Sequence, residues 1–497
     1  MLARFARSLF APFAVAVLAF APAAWGESAP LLDLPEGLTL YATDNVRWEF
    51  WDFFKPASPG GDHSYTFGGN RLRLGGLYER EHFAAEIAGQ YTQLWMVPDD
   101  AAGMPGGPLG TGAIYYLHSH DTSPAAVILK YLNFELKDLF DQGINAKVGR
   151  MTWSNGLEAK SGVPKIEKLK AIRIKDRVIG EFGWSFFQRS FDGARVWWEN
   201  DFGQASAAWF MPTEGGFEDG WNRTIFDINI VSASYTVKPG KLIPGAELQF
   251  FYYLYDDDRD VTQRVDNTAI KVVNKQDIEI HSIGGHLVGA YDVGPGQLDV
   301  LLWGMYQFGE WFELDQRAGA VAVEAGYQFP KVWGKPWIRL EAFYGSGDGS
   351  PNDGDHETFF QMVPTVRQYA SQASYNLMNS TDFALDLILN PHPKLTIRAD
   401  LHYLALSDDK DLWYAGAGAT QHEGDIFGYI GRPSGGDKDF GFGGMVYAIY
   451  RPAKWMTVNA YYGWLQGGDV VENNFAKSDD LNFFFLEFAF KFKTTGG

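Results

Sequence analysis

The sequence predicts an all-β protein: a transmembrane antiparallel β-barrel of about 18 strands, with short periplasmic turns and long extracellular loops. Three observations lead to that fold class. The first is strict alternation. Near the end of the chain Leu486, Phe488, Phe490 and Phe492 fall on one face of a strand, and Glu487, Ala489, Lys491 and Lys493 on the other, because successive side chains point to opposite sides. The second is composition: aromatic residues make up 16% of the chain at a mean hydropathy of −0.20. No apolar run long enough for a membrane helix follows the first twenty residues, so the pattern fits membrane strands with interfacial aromatic girdles. The third is that the connections alternate between short and long, which separates the two ends of a barrel.

Taken in order, residues 1–26 read as a signal peptide: Arg4 and Arg7 precede the apolar stretch Leu9 to Phe20, and Ala24-Trp25-Gly26 places small residues at the cleavage site. Residues 27–497 then form a single outer-membrane barrel domain. Strand-like runs sit near 38–54, 65–79, 82–95, 126–137, 143–153, 191–199, 203–211, 224–236 and 245–256. Further runs sit near 277–292, 296–309, 317–329, 335–346, 381–390, 394–407, 440–451, 454–466 and 481–493. Tight turns such as Asn200 to Gly203, Gly294 to Gly296 and Pro391 to Pro393 occupy alternate gaps. The long segments lie near 96–125, 154–190, 257–276, 347–380 and 408–439.

Composition excludes several classes. With 0 Cys there is neither a disulfide framework nor a thiolate metal site, and a net charge of −19 argues against nucleic acid. The chain carries no His-Glu-x-x-His, Gly-x-Ser-x-Gly or phosphate-cradling Gly-Lys-Ser/Thr motif. No enzymatic activity, cofactor or metal is expected. The acidic runs Asp256 to Asp260, Asp348 to Asp355 and Asp408 to Asp411 read as outer loops, and none has EF-hand spacing.

Alternation also assigns the wall. Ile338, Leu340, Ala342 and Tyr344 face lipid, with Arg339 and Glu341 inside; Leu395, Ile397, Ala399, Leu401 and Tyr403 face lipid, with Arg398, Asp400 and His402 inside. An Arg or Lys at mid-depth on the lipid face costs about 2–4 kcal/mol, so such rows turn inward. Arg71 and Arg73, alternating with Leu72 and Leu74, also face in, as do Lys147 and Arg195. Strict alternation turns Arg150 outward, so a bulge or strand end at Gly149 is expected to re-aim it. These residues are candidates for a solute track, since guanidinium binds carboxylates bidentately. The competing role is bracing of the wall by pairing with Glu49, Glu341 or Asp400. A second cluster, Lys160, Lys165, Lys168, Lys170, Arg173, Lys175 and Arg177, is interleaved with Ile166, Leu169, Ile172 and Ile174. Regular apolar spacing in a basic loop predicts that it folds inward as a cationic constriction; an external loop on lipopolysaccharide phosphates is the alternative.

Val148-Gly149-Arg150 closing one strand and Phe191-Asp192-Gly193-Ala194-Arg195-Val196 opening the next resemble the alginate export family of bacterial outer-membrane barrels. Gly345-Ser346-Gly347-Asp348, followed by Phe359-Phe360 and Val363-Pro364, is a second point of likeness. The resemblance implies an eighteen-stranded barrel with a basic, anion-selective lumen for an acidic polysaccharide. The chain differs in its modest arginine content and in ending on Lys493-Thr494-Thr495-Gly496-Gly497. The expected function is therefore an outer-membrane channel passing anionic solutes or polymers, alginate-like polysaccharide included, by passive diffusion. Its expected partners are outer-membrane lipid, lipopolysaccharide and the solute. The alternative is a structural sheath around a periplasmic partner such as a multihaem electron-transfer protein. The chain itself has no Cys-x-x-Cys-His.

Overall fold

The computed structural model describes residues 34–56, 61–101, 107–261, 263–268, 277–365, 374–419, 421–422, 427–476 and 480–496. The expected signal peptide lies outside them. Eighteen long strands form the wall: β1 (Leu38–Asp52), β2 (Ser64–Glu79), β3 (Phe83–Trp95), β4 (Ala125–Leu139), β5 (Ile144–Met151), β6 (Phe191–Glu199), β7 (Gly203–Pro212), β8 (Ile228–Val237) and β9 (Ala246–Asp257). They continue as β10 (Ile278–Val293), β11 (Gly296–Trp311), β12 (Leu314–Gln328), β13 (Trp337–Gly345), β14 (Ser380–His392), β15 (Leu395–Ala405), β16 (Asp439–Ala453), β17 (Met456–Gly467) and β18 (Asp480–Thr495). Each pairs antiparallel with its sequence neighbours. β1 closes the cylinder against β18 from Thr39↔Thr495 to Asp52↔Asn482. Closure leaves no edge strand with unpaired backbone groups in hydrocarbon, which is the condition for spanning a membrane with sheet.

The outer face is apolar where alternation places it. Leu340 is 65% exposed, Phe250 59% and Val148 56%, whereas Arg339 and Glu341 on the opposite face are buried. The short connections and both described chain ends gather at the periplasmic end. One connection at the other end departs from the expected length: β11 reaches β12 through Phe312 and Glu313 alone, with Phe312 at φ 53° in the left-handed region.

The inward rows are less polar than the sequence suggested. Trp51, Phe67, Phe483 and Phe485 point into the lumen and join aromatic residues of the long loops in one buried cluster. Those loops fold inward. Helix α1 (Thr111–Ser119) in the β3–β4 loop contributes Tyr115, and the β5–β6 loop contributes Phe182, Phe186 and Phe187. A second cluster joins Ile166, Leu169 and Ile174 of the same loop to Tyr253, Trp303 and Trp337 of the wall. About 18 strands spaced about 4.8 Å and tilted about 40° enclose a bore of roughly 35 Å, too wide for wall side chains to fill. Folded loops supply the missing interior.

Leu340 sits mid-strand on the lipid face, so Leu340→Arg should prevent appearance of the heat-modifiable folded band on gels, at a cost of about 2–4 kcal/mol. Leu340→Phe should leave that band intact.

Candidate functional site

The β5–β6 loop descends the lumen to its periplasmic half. Helix α2 (Pro164–Leu169), with Pro164 in its first turn, runs into a π-helical turn at Lys170–Ile174. Ile166, Leu169 and Ile174 are buried against the wall, and the cations between them reach acidic residues on β9, β11, β12 and β13. Lys165 Nζ lies 2.9 Å from Gln328 Oε1 and 3.4 Å from Asp299, over the ring of Trp337 at 3.3 Å. Lys170 donates to Ala159 O at 2.7 Å and pairs with Glu247 at 2.8 Å, which also meets His286 at 3.2 Å. Arg173 binds Glu324 at 2.8 and 3.2 Å and also contacts Glu341. Arg177 reaches Glu324 at 3.3 Å. Arg339 is held by Asp299, by Glu324 at 2.8 Å and by Glu341 at 3.6 Å.

This network brings together seven of the expected residues (Lys165, Lys170, Arg173, Arg177, Arg339, Glu341 and, at its margin, Lys168) and assigns most of them to bracing. Lys168 stands apart: its Nζ is 4.7 Å from the Trp337 ring, and no carboxylate pairs with it among the described residues. Lys160 is exposed beside Glu158, whose carbonyl accepts from Gln204 at 2.5 Å and Arg195 at 2.6 Å. Arg195 also donates to Ser206 at 2.9 Å. Lys147 faces Glu135 at 3.4 Å.

Arg150 is the correction. Its register runs unbroken through Gly149, with Arg150 opposite Leu132 on one side and Asp192 on the other. Leu132 is 52% exposed on the lipid face, so Arg150 stays on the outward row rather than turning into the lumen. It donates to both Asp192 oxygens at 2.8 and 2.6 Å and to Asn222 O at 3.0 Å. Gly149, at φ 112°, is needed for a different reason: a Cβ there would stand 2.3 Å from Leu132 O.

Between the loop and the opposite wall lies a chamber of about 600 Å³. Asn45, Arg47 and Arg71 from β1 and β2 line it, with Arg398, Tyr447, Arg451 and Glu487 from β15, β16 and β18. Its roof is Lys168, Ile172, Lys175, Asp176 and Trp184. Some of its cations are already engaged. Arg47 binds Glu49 at 2.8 Å, lies 3.7 Å from Glu487 and stacks over Trp184 at 3.9 Å. Arg398 pairs with Asp400 at 2.8 Å and Asp386 at 3.3 Å. Among the described residues Arg71 donates to Ser185 O alone, at 2.9 Å; Lys175 has Asp176 at 3.4 Å. Among the described residues no carboxylate pairs with Arg71, Lys168 or Arg451. Arg73, just below Arg71 on β2, is held by Gln90, Tyr131 and Gln188 at 2.7, 2.7 and 2.8 Å. The chamber thus concentrates positive charge at the periplasmic half, since the cations in its lining outnumber Asp176 and Glu487.

Sequence reasoning missed Arg47 and Arg451. Arg47 sits in the row Asn45, Arg47, Glu49, which alternates with Val46, Trp48 and Phe50 and could have been read as inward by the rule that found Arg71. Arg451 carried no such signal, because it stands at the strand's end.

The fold and the inserted loop define a bacterial outer-membrane β-barrel of the channel-forming type. The chain belongs to the alginate export family, which matches residues 116–483. No curated protein matches it in sequence. Among solved structures it is similar to OccAB2 of Acinetobacter baumannii (TM-score 0.56, 8% identity, 92% of this chain and 98% of that one). It is also similar to OccK2 (OpdF) of Pseudomonas aeruginosa (0.55, 11%, 92% and 98%) and to OpdK of the same organism solved with vanillate (0.53, 9%, 92% and 99%).

Glu324 pairs with Arg173, Arg177 and Arg339, so Glu324→Gln removes a counter-charge shared by three buried cations, at about 3–5 kcal/mol. The temperature at which the folded gel band is lost should drop by several degrees. Lys160→Gln, in the exposed part of the same loop, should leave it unchanged.

Proposed function

We propose that the barrel is a passive channel for small anionic solutes, with the chamber beneath the β5–β6 loop as its selectivity region. The observation that carries this reading is the division of the loop's charges. Lys165, Lys170, Arg173 and Arg177 are matched by wall carboxylates, while Lys168 and Lys175 join Arg71 and Arg451 around open space. A net charge of −19 for the whole chain is compatible with this, because a permeating ion responds to the local field, focused by low-dielectric walls, rather than to the sum over the surface.

The chamber volume suits a small molecule rather than an extended polymer: ligand sites of about 300–1,000 Å³ are the usual range for small molecules. Alginate, the polymer in the family's name, and vanillate, present in OpdK, are both carboxylates. The chemistry suggested for this chamber is therefore carboxylate recognition, with polymer passage requiring the loops to withdraw. The inserted loops also favour a channel over a sheath, since they occupy space that a threaded haem protein would need.

Reversal potentials across a salt gradient in planar bilayers test the proposal. The wild type should prefer chloride over potassium, and Lys168→Glu with Lys175→Glu should lower that preference by about tenfold. Charges confined to an external loop would be screened within a Debye length of about 8 Å at physiological salt, so a double variant indistinguishable from wild type would count against the chamber.

A further inference from the structure

The chamber carries a second ordered feature besides its cations. Tyr447 of β16, Tyr461 of β17 and Phe485 of β18 stand opposite one another in the sheet register, Tyr447↔Tyr461 and Tyr461↔Phe485, and all three turn inward. Their rings form a shelf. Tyr461 lies buried against Phe485, with ring centres 5.1 Å apart and planes at 9°, and Tyr447 stands 6.0 Å from Phe485. Trp184 of the β5–β6 loop meets Phe485 edge to face at 5.0 Å. The indole is fixed in turn by Arg47, whose guanidinium lies over Trp184 at 3.9 Å and Phe186 at 4.2 Å and whose Nη2 donates to Trp184 O at 2.9 Å. Tyr447, Phe485 and Trp184 open onto the chamber.

The cations lie on the periplasmic side of this shelf. Arg451 follows Tyr447 by four residues on β16, and Arg71 stands opposite Asn45, which is level with Ala489, four residues beyond Phe485 on β18. Four residues of strand span about 13 Å. Arginine side chains fill part of that interval, and Lys168 and open space the rest. We infer that the chamber is a site for an aromatic carboxylate, its ring against Tyr447, Phe485 and Trp184 and its carboxylate on Arg71, Lys168 and Arg451, an assignment that rests on the anion-channel reading and narrows its solutes to one class.

The two sides of the chamber ask for different chemistry in one molecule. Aromatic rings gain from edge-to-face and offset contact with other rings beyond what buried area alone supplies, and a ring lying between shelf and cations also presents its negative face to a guanidinium. Guanidinium in turn binds carboxylate bidentately, and among the described residues no protein carboxylate pairs with Arg71, Lys168 or Arg451. A sugar acid of the same charge fits less well. Ile172, Ile449 and Phe485 offer its hydroxyl groups no hydrogen-bond partner, so each would be desolvated without compensation. A small aliphatic acid satisfies the cations and leaves the shelf uncovered.

At about pH 8 benzoate, cyclohexanecarboxylate and acetate are all ionised, so they differ in body and not in charge. Each is added to the barrel in planar bilayers, and the concentration that halves the chloride current is read. Benzoate should act at a concentration about threefold or more below cyclohexanecarboxylate, which has a ring of similar size without a π face, and about tenfold or more below acetate. Trp184→Leu combined with Tyr447→Leu should bring benzoate to within about twofold of cyclohexanecarboxylate. If the wild type prefers chloride over potassium but benzoate and cyclohexanecarboxylate act alike, the aromatic site is overturned and the channel reading survives. A wild-type pore without anion preference removes both. A double variant that keeps the full benzoate advantage also overturns the site. Should that variant fail to give the folded gel band, the wild-type comparison decides alone, and equal concentrations for the two ring acids overturn the site.

Discussion

The constraint on which the rest depends is the width of the cylinder. A closed wall of about 18 strands cannot fill its own bore, and an empty apolar interior of that size would fill with water. The chain resolves this by folding its extracellular loops inward, which sets two requirements. The loops need apolar residues to pack on the inward aromatics, met by Phe186, Phe187 and Ile174. They also need charges complementary to the wall, met where Glu324 gathers Arg173, Arg177 and Arg339. Removing any one partner would strand the others in a buried setting, so the network fixes the loop's position more than it adds to net stability.

That fixed position divides the lumen. On the side of β9 to β13 acidic wall residues and loop cations cancel; on the side of β1, β2 and β15 to β18 a chamber remains in which cations outnumber carboxylates. The asymmetry is a consequence of packing. The loop takes its counter-charges from one wall, and its remaining lysines look toward the other. The charge selectivity proposed for the chamber would thus be a by-product of where the loop is anchored, and the large negative total charge is carried elsewhere, in part by the outer loops.

The strands were legible because each obeys a local rule: side chains alternate, lipid tolerates no charge, and turns need particular residues. The eighteen runs read from the sequence coincide with the eighteen strands to within a few residues. The inward fold of the basic loop was legible for a similar reason, since Ile166, Leu169, Ile172 and Ile174 recur at a spacing that an external loop has no use for. The counter-charges were not legible. Glu324 stands about 150 residues from Arg173, and no periodicity links partners so distant in the chain. Trp51 and Phe483 were hidden differently: inward positions were expected to be polar, whereas a lumen filled with protein also accepts aromatics.

Arg150 shows how a sequence motif can be real and its function misread. The paired segments Val148-Gly149-Arg150 and Phe191-Asp192-Gly193 lie side by side, with Gly149 opposite Gly193 and Arg150 opposite Asp192. A Cβ at Gly193 would stand 2.0 Å from Trp209 O, so both glycines answer to the close approach of neighbouring backbones. The Arg150–Asp192 pair, joined by Thr224 and Asn222, ties two strands to the β7–β8 loop on the outer side of the wall. This motif therefore secures the barrel near its extracellular end, on the row that faces away from the lumen. Lys168, Arg71 and Arg451, on which the proposed selectivity rests, line the chamber and lie outside the motif.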